Sequence, residues 1–266
     1  MRKTSFSAAI GFVCCLFMII TGIATNGGIG TIPNFIHIPS MIITFGGAFF
    51  SVMITTESAS EFIRGLKSIK KALFYKPANI DMIGNEIFDM AMIARKEGLL
   101  SLEEQSDRLE DAFFHKGIRL VIDGTDPELV KDILETEMMT TIEQSRGEVF
   151  FWEQFGAFSP AWGMVGTLLG LINMMKTMGN DSSAIGAGMS LALITTLYGS
   201  VMANWVCLPV AAKLRRVNAQ EQIAMELTIE GILSIQAGDN PMVIKEKIRA
   251  FRSGWEEETE GIKRAA

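Results

Sequence analysis

Apolar residues in this chain are concentrated in four long stretches that contain no Asp, Glu, Lys or Arg. The stretches cover residues 6–25, 38–55, 155–175 and 184–212. A helix needs about 20 mostly apolar residues to cross the hydrocarbon core of a bilayer. We therefore predict an all-α membrane protein with four transmembrane helices, called spans one to four. Span four is longer than a bilayer requires, so it either tilts or continues as a helix into water.

Spans one and two consist mainly of Ile, Phe, Met and Val, which favours contact with lipid. A Gly-rich segment with Pro33, residues 26–33, joins them and predicts a hairpin loop. The aromatic and acidic segment 147–155 precedes span three, and we expect Trp152 to lie at the level of the lipid headgroups.

The polar region between spans two and three has helical patterns and no strand pattern. Apolar residues recur there at three- and four-residue steps, as at Ile83, Ile87, Met90 and Ala94. We predict four segments. They are a first transmembrane hairpin at 1–56, a cytoplasmic helical domain at 57–150, a second transmembrane pair at 151–212 and cytoplasmic C-terminal helices at 213–266.

Several helix ends are marked by their own residues. Asp126-Pro127 and Asn240-Pro241 each predict a helix start, with an N-cap followed by proline at the first helical position. Gly98 predicts the end of a helix. Ser101 and the acids after it, Glu103 and Glu104, predict a capping box at the start of the next helix.

Basic residues decide the predicted orientation. Arg2 and Lys3 precede span one, twelve Lys or Arg lie between spans two and three, and nine follow span four. Lys176 is the one basic residue on the other side. The positive-inside rule therefore places both termini and the middle region in the cytoplasm. A cleaved signal peptide is the alternative for span one, although its apolar run is long for that purpose.

Composition removes several classes of function. A net charge of −6 argues against a nucleic-acid partner. The three cysteines lie in apolar stretches and the two histidines are far apart, so we expect no metal site and no cofactor. No nucleophile–base motif, P-loop or dinucleotide fingerprint is present, and we expect no enzyme activity.

Spans three and four are chemically distinct from the first pair. Span three holds Gly163, Gly166 and Gly170, and span four places Thr196, Ser200 and Asn204 at steps of four. Such patterns suit either close helix packing or a polar path for ions. No acid lies in any span, although relays for protons or cations usually depend on one. If the protein moves ions, another chain must supply the carboxylate.

Local motifs resemble the MotA and PomA family of flagellar stator subunits. They are FGGA at 45–48, RKEGLLSLE at 95–103, DPE at 126–128, PAWGMVGTLLG at 160–170 and TTLYG at 195–199, followed by Asn204 and Pro209. The similarity covers nearly the whole chain. It implies five such chains around two copies of a MotB-like or PomB-like subunit in the bacterial inner membrane. That subunit would supply an ion-accepting Asp.

The resemblance also implies roles for individual residues. Arg95 and Glu103 match charged residues that meet the rotor protein FliG. Pro160 and Pro209 match prolines tied to conformational change. Thr167, Thr195 and Thr196 match the ion pathway. The transported ion is expected to be Na⁺ or H⁺. The pattern Gly166-Thr167 with Thr195-Thr196 is more similar to the sodium-driven PomA branch, which favours Na⁺.

Two other functions remain open at this point. An ExbB- or TolQ-like energiser subunit would have three spans and would drive a periplasmic partner, so the hairpin at residues 6–55 argues against it. A solute transporter would usually show internal repeats and broken helices, and the sequence contains no repeat.

Overall fold

The computed structural model describes residues 6–75, 79–109, 111–177 and 182–251. Arg2, Lys3 and Asp181 lie outside these residues, as does the predicted C-terminal helix beyond residue 251. Throughout the described residues the regular secondary structure is helical. The chain forms two compact units, Met1–Lys76 with Arg146–Arg215 and Pro77–Ser145 with Arg216–Ala266.

The elements follow one another in a simple order. They are α1 (Phe6–Gly27), a 3-10 turn (Ile29–Phe35), α2 (Ile38–Thr55), α3 (Ala59–Phe74), α4 (Ile80–Glu97), a 3-10 turn (Leu99–Leu102), α5 (Glu103–Ser106), α6 (Ala112–Ile122), α7 (Pro127–Thr177), α8 (Ser182–Val201), a π segment (Met202–Cys207), α9 (Leu208–Ala237) and α10 (241–251). The helical course of span four thus continues to Ala237, as expected if its end extends beyond the bilayer.

Three helices in the described residues are long and apolar enough to cross a membrane: α2, α7 and the helix from Ile185 to Ala237. A fourth candidate pairs residues 10–25 of α1 with the 3-10 turn after it, at a bend of 110°. The expected loop at 26–33 is therefore partly wrong, because its second half is helical. Gly28 permits the bend with φ of +79°, a conformation that glycine adopts at little cost.

Local helix signals were correct in three places and wrong in one. The Asn240 side chain accepts a hydrogen bond of 3.0 Å from the Met242 amide and caps α10 as predicted. The Asp126 carboxylate accepts a hydrogen bond of 3.0 Å from the Glu128 amide and caps α7 as predicted. Gly98 ends α4 with φ of +88°. Ser101 is not a capping residue, because its hydroxyl donates to the Gly98 carbonyl at 2.6 Å and a 3-10 turn precedes α5.

The second unit has one apolar core. The largest fully buried side chains in it include Phe114, Ile87, Leu102, Ile118, Leu134, Leu227, Ile232 and Ile244. Two of the predicted apolar face residues of α4, Ile87 and Met90, are buried in that core, and Ile83 and Ala94 pack against it. Residues after span four contribute to the same core. Most of the predicted middle segment therefore shares one unit with most of the C-terminal segment, whereas residues 57–76 belong to the first unit.

Lys247 fastens α10 to α9 within this unit. Its ammonium lies 2.7 Å from the Glu230 carboxylate, 3.2 Å from Asp239 and 2.9 Å from the Ser234 hydroxyl. The hydrogen bond to Glu230 is the main cause that raises the pKa of Lys247. The lysine therefore stays charged and joins the two helices.

The first unit is built around aromatic side chains. Phe62, Phe151, Trp152 and Phe155 form a chain of edge-to-face and tilted ring contacts. Trp152 is buried, and its indole N–H donates to the Ser68 hydroxyl of α3 at 2.9 Å. The polar edge of Trp152 therefore does not bond to lipid headgroups. The indole N–H has a partner inside the protein.

Helix α2 is also more than a lipid-facing layer. Ser40, Thr44, Ala48 and Val52 follow one another at steps of four, and all are fully buried. Ile42, Phe50 and Ile54 point outward and are largely exposed. The mixed faces show that α2 packs against other helices on one side, which apolar composition alone did not reveal.

Glycines allow α7 and the span-four helix to approach closely. A Cβ added at Gly163 would lie 3.0 Å from the Thr195 carbonyl oxygen, and one at Gly170 would lie 2.5 Å from that of Gly188. One at Gly199 would lie 2.5 Å from the Ser159 carbonyl oxygen. The predicted close packing through span-three glycines is confirmed.

We expect Gly170→Ala to lower the free energy of unfolding by about 1–3 kcal/mol, because the added methyl group meets backbone atoms that cannot turn aside. Gly186→Ala is the matched control, since an added Cβ there has no atom within 4 Å in the described residues. Unfolding midpoints of the detergent-solubilised variants measure the effect. Equal midpoints would contradict the close contact.

Candidate functional site

Thr167 and Thr196 form a hydroxyl pair between spans three and four. Their Oγ1 atoms lie 2.6 Å apart. The Thr167 and Thr196 hydroxyls also lie within hydrogen-bonding distance of the Ala192 carbonyl, at 3.1 and 3.2 Å respectively. The Thr167 hydroxyl lies 3.0 Å from the Gly163 carbonyl as well. A threonine in a helix can bond the carbonyl four residues earlier, which fixes both side chains. The result is a small group of hydroxyl and carbonyl oxygens without a charged side chain among them.

Thr195 belongs to the packing between spans and does not join this pair. Its side chain is fully buried, and its hydroxyl donates to the Leu191 or Ala192 carbonyl at 2.9–3.0 Å. Its methyl group lies where a side chain at Gly166 would be, 2.4 Å from an added Cβ. Its carbonyl accepts a long hydrogen bond of 3.4 Å from Thr44 of α2.

The hydroxyl pair lies at the surface of the single chain. Thr196 is exposed and Thr167 is half-buried. Ser200 and the exposed Asn204 continue the same line of polar residues, and the Asn204 amide donates to the Ser200 carbonyl at 2.9 Å. Exposed apolar side chains on span three, Met164 and Leu168, border the pair. This face is thus polar along a line and apolar around it, and one chain does not enclose it.

Pro160 and Pro209 occupy different surroundings. Pro160 is half-buried inside α7, and a Cβ at Gly199 would lie 3.0 Å from its Cα, so span four touches the backbone at this proline. Pro209 is exposed and is the second residue of α9, just after the π segment Met202–Cys207. Because proline lacks an amide hydrogen, it removes one helical hydrogen bond, and a widened turn can accommodate the loss.

Arg95 and Glu103 are exposed near the end of α4 and the start of α5. Gly98 and a 3-10 turn separate them. Within the described part of the chain neither forms an ion pair, although the neighbouring Glu104 and Arg108 pair with each other at 2.6 Å. The two charges therefore remain available to a partner.

Tyr198 has a positioning role that sequence reasoning missed. Its hydroxyl donates to the Phe35 carbonyl and accepts a hydrogen bond of 3.1 Å from the His37 amide. Its ring stacks on Phe45 of α2 at a centroid distance of 5.6 Å. Tyr198 thereby fixes the start of span two against span four, two residues after Thr196. Its place in the TTLYG motif was visible in the sequence, but no signal indicated its partners.

Two π segments also escaped prediction. They are Ile42–Gly46 in α2 and Met202–Cys207 between α8 and α9. Thr44, the residue that bonds the Thr195 carbonyl, lies in the first of them. Such widened turns occur often at functional sites.

Comparison with known proteins identifies the group to which these features belong. A profile of the MotA/TolQ/ExbB proton channel family matches residues 105–227. Motility protein A of Aquifex aeolicus is 38% identical over 240 residues, covering 90% of this chain and 92% of that protein. Chemotaxis protein PomA of Vibrio alginolyticus is 34% identical, with 91% and 93% covered.

A solved structure has the same fold. The C. jejuni MotAB structure superposes with a TM-score of 0.84 at 26% identity, and the match covers 92% of this chain and 94% of that one. The relatives at more than 30% identity are covered over most of their length. The chain therefore belongs to the MotA/TolQ/ExbB proton channel family, as a motility protein A–type stator ion-channel subunit.

Proposed function

We propose that this chain combines with a MotB-like subunit to form an ion channel whose flux produces torque for swimming. The observation that carries the proposal is the Thr167–Thr196 hydroxyl pair, 2.6 Å apart and open to a partner in a chain without any acid in its spans. The partner contributes the ion-accepting Asp, and the threonines lie along the route. The transported ion is Na⁺ or H⁺, and no cofactor takes part.

The oxygens near Ala192 suit this role chemically. Hydroxyl and carbonyl oxygens can replace part of the water shell of a cation. They can also carry a proton through hydrogen-bonded water. Thr195 supports the route indirectly, because its buried side chain sets the distance between the helices.

The prolines couple ion passage to movement. Pro160 touches span four at Gly199, three residues from Thr196, and Pro209 follows the π segment of span four. A change in the Thr167–Thr196 pair can therefore reach both prolines along one helix. Both prolines are therefore positioning residues, since neither adds an oxygen to the cluster around Thr167 and Thr196.

Arg95 and Glu103 are proposed to meet the rotor protein FliG. They are exposed and have no ion pair in the described residues. Complementary charges steer partners and set register more than they add affinity. The remaining features of the proposal are a homopentamer of this chain, an inner-membrane location with four spans, and both termini in the cytoplasm, as the distribution of Lys and Arg indicates.

An ExbB- or TolQ-like energiser is the second candidate. Its support is that the matching family includes those proteins and that three helices, without α1, pass as membrane spans by themselves. The energiser would have three spans, so the number of spans distinguishes the two functions.

We expect four spans in a labelling experiment. In a background without Cys14, Cys15 and Cys207, Ile36→Cys should react with an impermeant thiol reagent added outside cells, because it is exposed in the connection before α2. Asp132→Cys, exposed on α7, is the internal control and should react only after the cells are opened. Ser5→Cys, which precedes span one, should likewise react only after the cells are opened, because span one places it in the cytoplasm. Labelling of Ser5→Cys in intact cells would contradict the four-span topology, since without span one the N-terminal residues would lie outside together with Ile36.

Reversal of either proposed rotor charge should abolish swimming while assembly continues. We expect Arg95→Glu and Glu103→Lys each to reduce swimming speed at least tenfold, because a like charge at the rotor contact repels its partner. Swimming in soft agar and recovery of the intact complex give the two readouts. The control Asp132→Lys reverses another exposed charge and should swim normally. Normal swimming by both rotor variants would refute the contact.

Thr196→Ala tests the ion route. Loss of one hydroxyl contact, about 0.5–1.5 kcal/mol, should raise the sodium concentration for half-maximal swimming about two- to tenfold if the ion is Na⁺. Thr196→Ser should restore it. Thr21→Ala removes a similar backbone-bonded hydroxyl in span one and should have no effect. A defect that is equal at all sodium levels and follows the protonophore response would assign the ion as H⁺, and a defect-free Thr196→Ala would remove this residue from the route.

A further inference from the structure

The exposed side of α3 is basic. Arg64, Lys67 and Lys70 are exposed and Lys71 is half-buried, whereas the acid of this helix, Glu61, lies in its first turn. Ile63 and Phe74, which share this side, are also exposed at 49% and 67%. A helix that presents cations and large apolar side chains together, directly after a membrane span, is typical of one that lies at a lipid surface.

A cavity of about 250 Å³ adjoins this helix in the same unit. Its walls come from α1, from the end of α3, and from the π segment and α9 of span four. The lining includes Gly11, Cys15, Ala72, Leu73, Trp205 and Lys213. Lys213 is the one charged residue among the described residues that line it.

The polar groups of the wall are consistent with an apolar occupant. The Trp205 indole N–H donates to the Phe12 carbonyl at 3.2 Å, and the Asn204 amide donates to the Ser200 carbonyl. The indole N–H and one N–H of the Asn204 amide thus have partners within the protein. The cavity therefore offers mainly hydrocarbon contact and positive charge from Lys213. Lys70 precedes the lining residue Leu73 by three residues, about one turn, on the same side of α3.

We propose that this cavity and the basic side of α3 bind an anionic phospholipid of the cytoplasmic leaflet. Part of one acyl chain occupies the cavity, and the phosphate lies near Lys213 and Lys70. An anionic lipid matches both parts of the site, because its acyl chain suits the apolar lining and its phosphate suits the two lysines. The proposal depends on the membrane topology given above, and it does not depend on the stator role or on the identity of the ion.

Native mass spectrometry of the purified complex, with its MotB-like subunit, tests the proposal. Detergent-solubilised complex is titrated with dioleoyl phosphatidylglycerol or dioleoyl phosphatidylcholine. We expect retention of about one phosphatidylglycerol per copy of this chain, at a concentration at least tenfold below that needed for phosphatidylcholine. Equal retention of the two lipids would overturn the proposal. Retention of neither lipid would also overturn it and would mean that the cavity is closed or filled by protein.

Two sets of variants separate the acyl chain from the headgroup. Gly11→Phe should fill the cavity and abolish retention, because an added Cβ at Gly11 meets nothing within 4 Å. Gly22→Phe is its matched control, three turns along the same helix face and equally unobstructed, and should retain lipid. If Gly11→Phe assembles and retains lipid as the parent does, the acyl-chain site is wrong.

Lys70→Gln and Lys213→Gln test the headgroup and do not depend on the folding of Gly11→Phe. Each substitution should weaken phosphatidylglycerol retention about fivefold, because a basic residue near a lipid surface contributes roughly 1 kcal/mol. Retention of phosphatidylcholine should not change. Lys131→Gln, an exposed lysine of α7, is the control. Unchanged phosphatidylglycerol retention in both lysine variants would overturn the proposal. This outcome does not depend on whether the variants swim.

Discussion

The close approach of spans three and four is the contact on which the first unit depends. In a bilayer, apolar side chains gain little by leaving lipid for another helix, so association must come from tight packing and hydrogen bonds. The glycines at 163, 170 and 199 bring backbone against backbone at distances that a side chain would prevent. This contact places the Thr167 hydroxyl of span three beside the Ala192 carbonyl and the Thr196 hydroxyl of span four. The oxygen cluster is therefore a consequence of the helix packing.

Hydrogen bonds from aromatic side chains then fix the other helices to this pair. Trp162 donates to the Ser51 hydroxyl of α2 at 2.7 Å, Trp205 to a carbonyl of α1, and Tyr198 to the connection between α1 and α2. A buried indole or phenol without a partner would carry a large desolvation penalty. Each ring thus specifies one neighbour as well as filling space.

The sequence was informative where a signal is local. Runs of uncharged apolar residues, the Asp126 cap and the Gly98 helix end each depend on a few adjacent residues, and they were predicted correctly. The capping box at Ser101 was wrong because Ser101 lies in a 3-10 turn, where its hydroxyl donates to the Gly98 carbonyl and does not cap α5 by accepting from a backbone amide. The partner of Trp152 could not be predicted, because Ser68 is 84 residues away. The π segments and the shared core of the second unit likewise depend on distant contacts.

The different environments of the two adjacent threonines could not be predicted from the sequence. Thr195 and Thr196 have the same side chain and neighbouring positions, but a helix turns about 100° per residue, so one faces the packed interior and the other the surface. The resemblance implies an ion-pathway role for both, and the structure places Thr196 in the oxygen cluster and Thr195 in the packing between spans.

The lack of an acid in the spans has a thermodynamic consequence for the exposed oxygen cluster. Neutral oxygens can lower the cost of removing water from a cation, but they cannot supply the opposite charge that holds it in a medium of low dielectric constant. A carboxylate placed permanently beside Thr196 in this chain would itself be expensive to keep in lipid before assembly. In the proposed channel, dividing the site avoids both penalties, since the neutral threonines lie at an open surface and the partner that would cover them would supply the charge. The exposed polar line of span four is therefore best understood as one half of an interface.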